Sequence, residues 1–77
     1  MAVVRTFNRT NANSSLYPTE VDAEWTIIAS DTSKLLQIST FGSDDRASRR
    51  KVSQAIQFDR EMAQLLKAAI ESTFPGI

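Results

Sequence analysis

The chain has 77 residues, nine basic side chains against nine acidic ones, and neither cysteine nor histidine. Disulfides and Cys/His zinc sites are thereby excluded, and zero net charge gives no global pull toward nucleic acid or membrane. One small domain over 1–77 is what this length accommodates, burying ~60% of its unfolded surface around a core worth ~3–5 kcal/mol at best. With disulfides and thiolate metals ruled out, a partner subunit is the remaining source of stability, most simply a two-fold homodimer.

From the amino end, Val3, Arg5, Phe7 and Arg9 share one parity. Residues 3–9 are predicted as a strand that sets Arg5 and Arg9 beside Phe7 on one face. Residues 10–15 form a polar loop by composition. Pro18 disfavours helix at Tyr17 and suits a strand edge. Over residues 20–28, Val21, Ala23, Trp25 and Ile27 alternate with Glu20, Asp22, Glu24 and Thr26. This period of two predicts a half-buried strand with Trp25 on its core side. Ser30 to Ser33 is a turn, and Lys34 to Phe41 is the second strand of the resulting hairpin.

Gly42 to Lys51 is a charged loop. After it, Val52, Gln54, Ile56 and Phe58 alternate with Ser53, Ala55 and Gln57. That pattern predicts a further strand with Val52, Ile56 and Phe58 facing the core. Asp59 is placed as a helix N-cap, with Glu61 in the first turn, where the dipole favours a negative charge. Met62, Leu65, Leu66, Ala69, Ile70 and Thr73 trace one helical stripe, and Lys67 with Glu71 forms an i,i+4 pair. Pro75-Gly76 ends the helix. The predicted class is α+β, in the order β-β-β-β-α: an antiparallel sheet of about four strands and one C-terminal amphipathic helix. A single helix covers only part of one sheet face, so a second copy would have a surface to bind.

Three groups of residues could carry chemistry. Arg46, Arg49, Arg50 and Lys51 put four cations within six residues, enough for a local phosphate site. Asp44 and Asp45 precede them, so the plainer reading is a solvated loop of mixed charge. Arg5, Phe7 and Arg9, with Phe41 and Tyr17, mix rings with cations, the combination that holds single strands by stacking and backbone contact. The plainer role of each ring taken singly is packing. Glu20, Asp22 and Glu24 form an acidic row of the type that can hold Mg²⁺ or Ca²⁺. No catalytic lysine or recognisable spacing accompanies the row, so no metal or other cofactor is expected. Without a histidine base or a glycine-rich phosphate loop, no enzyme activity is expected either. No apolar run reaches the ~18–20 residues of a membrane span, and Met1 to Thr10 lacks the apolar stretch of a signal peptide. The expected setting is cytoplasmic.

The segment Lys34-Leu35-Leu36-Gln37-Ile38-Ser39-Thr40-Phe41, the basic run to Lys51, and Val52-Ser53-Gln54-Ala55-Ile56-Gln57-Phe58 followed by the helix to Ile70 resemble a known family. It is the single-stranded-DNA-binding core of the transcriptional coactivator positive cofactor four and its bacterial relatives. The resemblance covers about half the chain. This sequence has Ser39 where the family pattern has arginine, and Lys51 directly before the Val52-Ser53 step where it has glycine. The resemblance implies a homodimer joined through helices and strands, its curved sheets gripping a single strand. Arg46, Arg49, Arg50 and Lys51 would then be loop cations and Phe41 a stacking ring. Together with Arg5, Arg9 and Lys34 these are the expected nucleic-acid-binding residues. The expected function is a single-stranded DNA- or RNA-binding module, with regulation of transcription as its expected role. The alternative is a small protein-binding accessory, or a phage-type inhibitor of a nucleic-acid-processing machine. Zero net charge and the acidic row favour that alternative, because such a protein would bind a basic protein groove.

Overall fold

The computed structural model describes residues 1–42 and 51–77. Among them the elements are β1 (Ala2–Val3), β2 (Ala23–Ala29), β3 (Lys34–Phe41), β4 (Val52–Phe58) and α1 (Arg60–Thr73). The fold is α+β, with a four-stranded sheet in the order β1-β4-β3-β2 and one C-terminal helix.

The β2–β3 hairpin forms where the alternation predicts it. Its turn is closed by Ser30 N donating to Ser33 O at 2.8 Å, and the Ser30 hydroxyl accepts from Ser33 N at 3.1 Å. Trp25 stands opposite Ile38 and Ile27 opposite Leu36, so the apolar members of both strands share a face. β4 adds antiparallel to β3, with Ile56 opposite Ile38 and Phe58 opposite Leu36.

The sheet is mixed rather than antiparallel throughout, because β1 pairs parallel to β4. Nor does the first strand run from Val3 to Arg9. Ala2 pairs with Ile56 and Val3 with Gln57, and Val4 N still donates to Gln57 O at 2.8 Å. One residue later β4 gives way to the helix cap, so no extended partner remains. Residues 5–9 leave the sheet, and Phe7 turns inward to meet Phe58 edge-on, with centroids 5.9 Å apart.

A bulge corrects the expected facing of Val52. Thr40 pairs with Gln54 but Phe41 with Val52, leaving Ser53 as the extra residue. One inserted residue reverses side-chain parity. Val52 therefore lies on the face opposite Ile56 and Phe58.

The core is small and sits at the junction of β4 and α1. Phe58 is 2% exposed, and Met62 in the first helical turn is also buried. Asp59 caps the helix as expected, its Oδ1 accepting from Met62 N at 2.8 Å. The helix stops at Thr73. Phe74 N still donates to Ile70 O, Pro75 cannot continue the helix, and Gly76 takes a positive φ of 89°. Such a left-handed position suits glycine.

The sequence places Trp25 in the core, but it is 68% exposed. The helix touches β3 and β4 and reaches neither β1 nor β2. Among the described elements, the helix therefore does not cover the apolar side of β2.

Candidate nucleic-acid interface

The two faces of the sheet are chemically distinct. One carries Ala23, Trp25, Ile27, Leu36, Ile38, Ile56 and Phe58, with Lys34 at one end and Thr40 and Gln54 at the other. The other has Glu24, Thr26, Gln37, Ser39, Ala55 and Gln57 at its centre, with Ile28, Leu35, Phe41 and Val52 toward its ends.

On this polar face, hydrogen bonds run across the central strands. Gln57 Nε2 donates to Gln37 Oε1 at 2.8 Å, and Gln37 Nε2 donates to the Ser39 hydroxyl at 3.1 Å. Because Gln37 and Gln57 are directly opposed in the β3–β4 ladder, their amides meet without backbone distortion. Among the described residues, no buried side-chain polar atom lacks a partner. Beside the amides lies a groove of about 490 Å³, lined by Met1, Val3, Gln37, Val52, Ala55 and Gln57. Ala55 and Ser39 are the short side chains of this face, and both are buried between longer neighbours. Short residues in mid-sheet leave a depression, and the amides border it with donors and acceptors. The chemistry available is hydrogen bonding to a flat polar edge and contact with a small apolar plane.

The expected binding residues within the sheet fall at its two ends. Phe41 closes β3 at one end, half-buried and on the polar face. Lys51 stands next to it, exposed, its carbonyl accepting from Gly42 N at 3.5 Å. Arg46, Arg49 and Arg50 lie outside the described residues. Lys34 begins β3 at the opposite end, seven residues from Phe41, which is roughly 23 Å along a strand. Its parity places it with Leu36 and Ile38 on the apolar face. Arg5 and Arg9 are exposed, in the segment that follows β1 outside the sheet. Arg9 lies with Phe7 and Asn8 along a cleft against Leu65 and Ala69 of the helix. The structure therefore puts the backbones of Phe41 and Lys51 at one end of the sheet and Lys34 at the other. Phe7 contributes to the core instead of offering an exposed ring.

The acidic row is also divided. Glu24 belongs to β2, whereas Glu20 and Asp22 precede it. Asp22 uses its carbonyl to accept from Phe41 N, extending the hairpin ladder by one step. Among the described residues, no group of three acidic side chains could hold a metal ion, and no helix is long and apolar enough to cross a membrane.

Gln37, Ser39 and Gln57 were not among the expected site residues. The available signal was the polar half of the alternation, Gln37-Ser39 against Ala55-Gln57 on two strands predicted to be neighbours. No protein-family model, curated protein or solved structure matches this chain.

Proposed function

We propose that this chain is a non-catalytic module that binds single-stranded nucleic acid, DNA or RNA, with a homodimer as its working unit. The observation that carries the reading is the groove on the polar face, where the paired amides of Gln37 and Gln57 border a floor formed by Ala55. Exposed base edges present donors and acceptors that glutamine can match, and an unpaired base is flat enough to lie against a shallow apolar floor. Phe41 and Lys51 sit at the end of the same sheet, and Lys51 continues the basic run Arg46, Arg49, Arg50 in sequence. A ring with cations at one end of a groove is the combination that tracks a stacked strand and its phosphates. Lys34, at the other end and on the apolar face, lies away from this groove, and Arg5 and Arg9 follow β1 outside the sheet. Regulation of transcription is one role such a module could serve.

A second reading, a small protein-binding accessory, is favoured by the uncovered apolar face around Trp25.

The test is fluorescence anisotropy of a labelled single strand titrated with protein across a salt series. Binding that weakens steeply with salt is expected. Arg49→Ala with Arg50→Ala should flatten the log–log salt slope by ~1.4, two phosphates at ~0.7 each. No binding at micromolar protein and low salt would overturn the reading. Mg²⁺-dependent loss of the strand would overturn its non-catalytic part.

A further inference from the structure

We propose that the apolar face of the sheet, centred on Trp25, is the surface on which a second copy of this chain seats. The proposed function assumes a homodimer; this inference says where its two copies meet, and it stands whether or not a strand binds.

The face is apolar and open. Trp25 is 68% exposed and Ile27 58% on β2, and Ile56 is 41% exposed on β4, with the half-buried Ile38 of β3 between Trp25 and Ile56. Large rings and β-branched side chains rarely stay in water in such a contiguous group on a monomer. β2 is also an edge strand of seven exposed residues with neither proline nor lysine to protect it. Edges of that length are normally blunted or covered.

The surface area argues for a second copy as the cover. The chain exposes 7258 Å², where a compact monomer of 8.6 kDa exposes ~4,700 Å². The excess is ~2,500 Å² per chain, and the exposed segment 10–22 carries part of it. Over two copies the excess is ~5,000 Å², so burying under half of it would reach the range of roughly 2,000–5,000 Å², both partners together, of an obligate homodimer. The Cα radius of gyration of 14.7 Å also exceeds the ~11.5 Å of a compact 77-residue domain.

The chain carries a complementary element of its own. Leu65 and Ile70 on α1 are about two-fifths exposed, on a helix that never reaches β2. A two-fold axis would place the stripe of each copy against the Trp25 face of the other, closing both surfaces with one contact. The described segment 10–22 is exposed throughout and does not serve as a lid. Zero net charge leaves no long-range repulsion between identical chains.

Trp25 is the single tryptophan, so its fluorescence reports on this face alone. Sedimentation velocity and tryptophan emission are followed over the same dilution series. The expected result is a dimer with blue-shifted, acrylamide-shielded emission that turns red and quenchable as the dimer dissociates, with one midpoint for both signals. Ile27→Asp, at an exposed position, is expected to keep the circular dichroism of the fold and raise the dimer dissociation constant ~100-fold or more. A dimer whose Trp25 stays fully quenchable would overturn the placement. A monomer at ~100 µM protein would overturn the second copy as occupant and leave the face to a foreign partner. If Trp25 is shielded in the dimer but anisotropy shows no strand binding, the nucleic-acid reading alone fails.

Discussion

The two faces of this sheet are built from the same strands and solve opposite problems. On the apolar face, stabilisation is concentrated at one end, where Phe58 is buried with Phe7 edge-on to it and Met62 close by in sequence. The rest of that face, through Ile38 and Ile56 to Trp25, runs out from under the helix. On the polar face, Gln57, Gln37 and Ser39 satisfy one another through hydrogen bonds. A face with its polar groups already paired can remain in water at little cost. An apolar face of similar extent cannot, because the favourable term for covering it grows with area, by ~25 cal/mol per Å². The comparison separates the roles: one face drives association, and the other is left available for a ligand.

The strongest way to break that comparison is to remove the single well-buried ring. Phe58→Ala should cost ~3–5 kcal/mol, as much as the whole core of so small a chain supplies. The expected outcome is loss of a cooperative urea transition and a disordered far-ultraviolet spectrum. A variant that still unfolds cooperatively with a loss under ~1 kcal/mol would mean the junction of β4 and α1 is not where stability is concentrated. A smaller effect comes from the helix that this junction orients. Asp59→Ala removes the acceptor for Met62 N and should cost ~1 kcal/mol, while Asp59→Asn should retain most of the stability. Chemical denaturation of both variants checks it. Equal losses for the two would place the role of Asp59 in its charge rather than its cap.

Much of this was legible in the sequence, for reasons that differ by element. The Trp25-Ile27 alternation, the serine-rich turn, the Asp59 cap and the Pro75-Gly76 stop are local signals, and each produced the element it announces. What was not legible depended on partners distant in sequence. Nothing in residues 3–9 says that β4 ends at Phe58, so the first strand was expected to be longer than two residues and its parallel pairing was not foreseen. The bulge at Ser53 erased the expected facing of Val52, because an inserted residue is visible only once the register against Thr40 and Phe41 is known. Trp25 shows the limit most clearly. Alternation identifies the face a side chain belongs to, but not whether its own chain is long enough to cover that face. Among the site residues, Phe41 and Lys51 converge because strand ends meet there, whereas Arg5, Arg9 and Lys34 share only composition with them.

The finest test of the two-face comparison should separate ligand binding from assembly with little change in stability. Gln37→Leu keeps the size of the side chain and removes both hydrogen bonds that Gln37 makes. Gln57 is half-buried, so water can replace its lost acceptor, whereas the buried Ser39 hydroxyl loses the donor it accepts from. The net cost should be ~1 kcal/mol, at the low end for leaving a buried polar group without its partner. Position 37 also lies on the opposite face from Trp25, so sedimentation should give an unaltered dimer dissociation constant. Strand affinity should nevertheless fall ~10-fold, the effect of removing one good polar contact to a base. Loss of affinity with unaltered assembly would assign ligand binding to the polar face and association to the other. A variant that binds the strand as well as the original chain would remove the groove beside Ala55 from the argument, leaving the cationic loop as the sole contact. One that dissociates the dimer would mean that the two faces are not independent, and that copies of the chain meet through the amides instead.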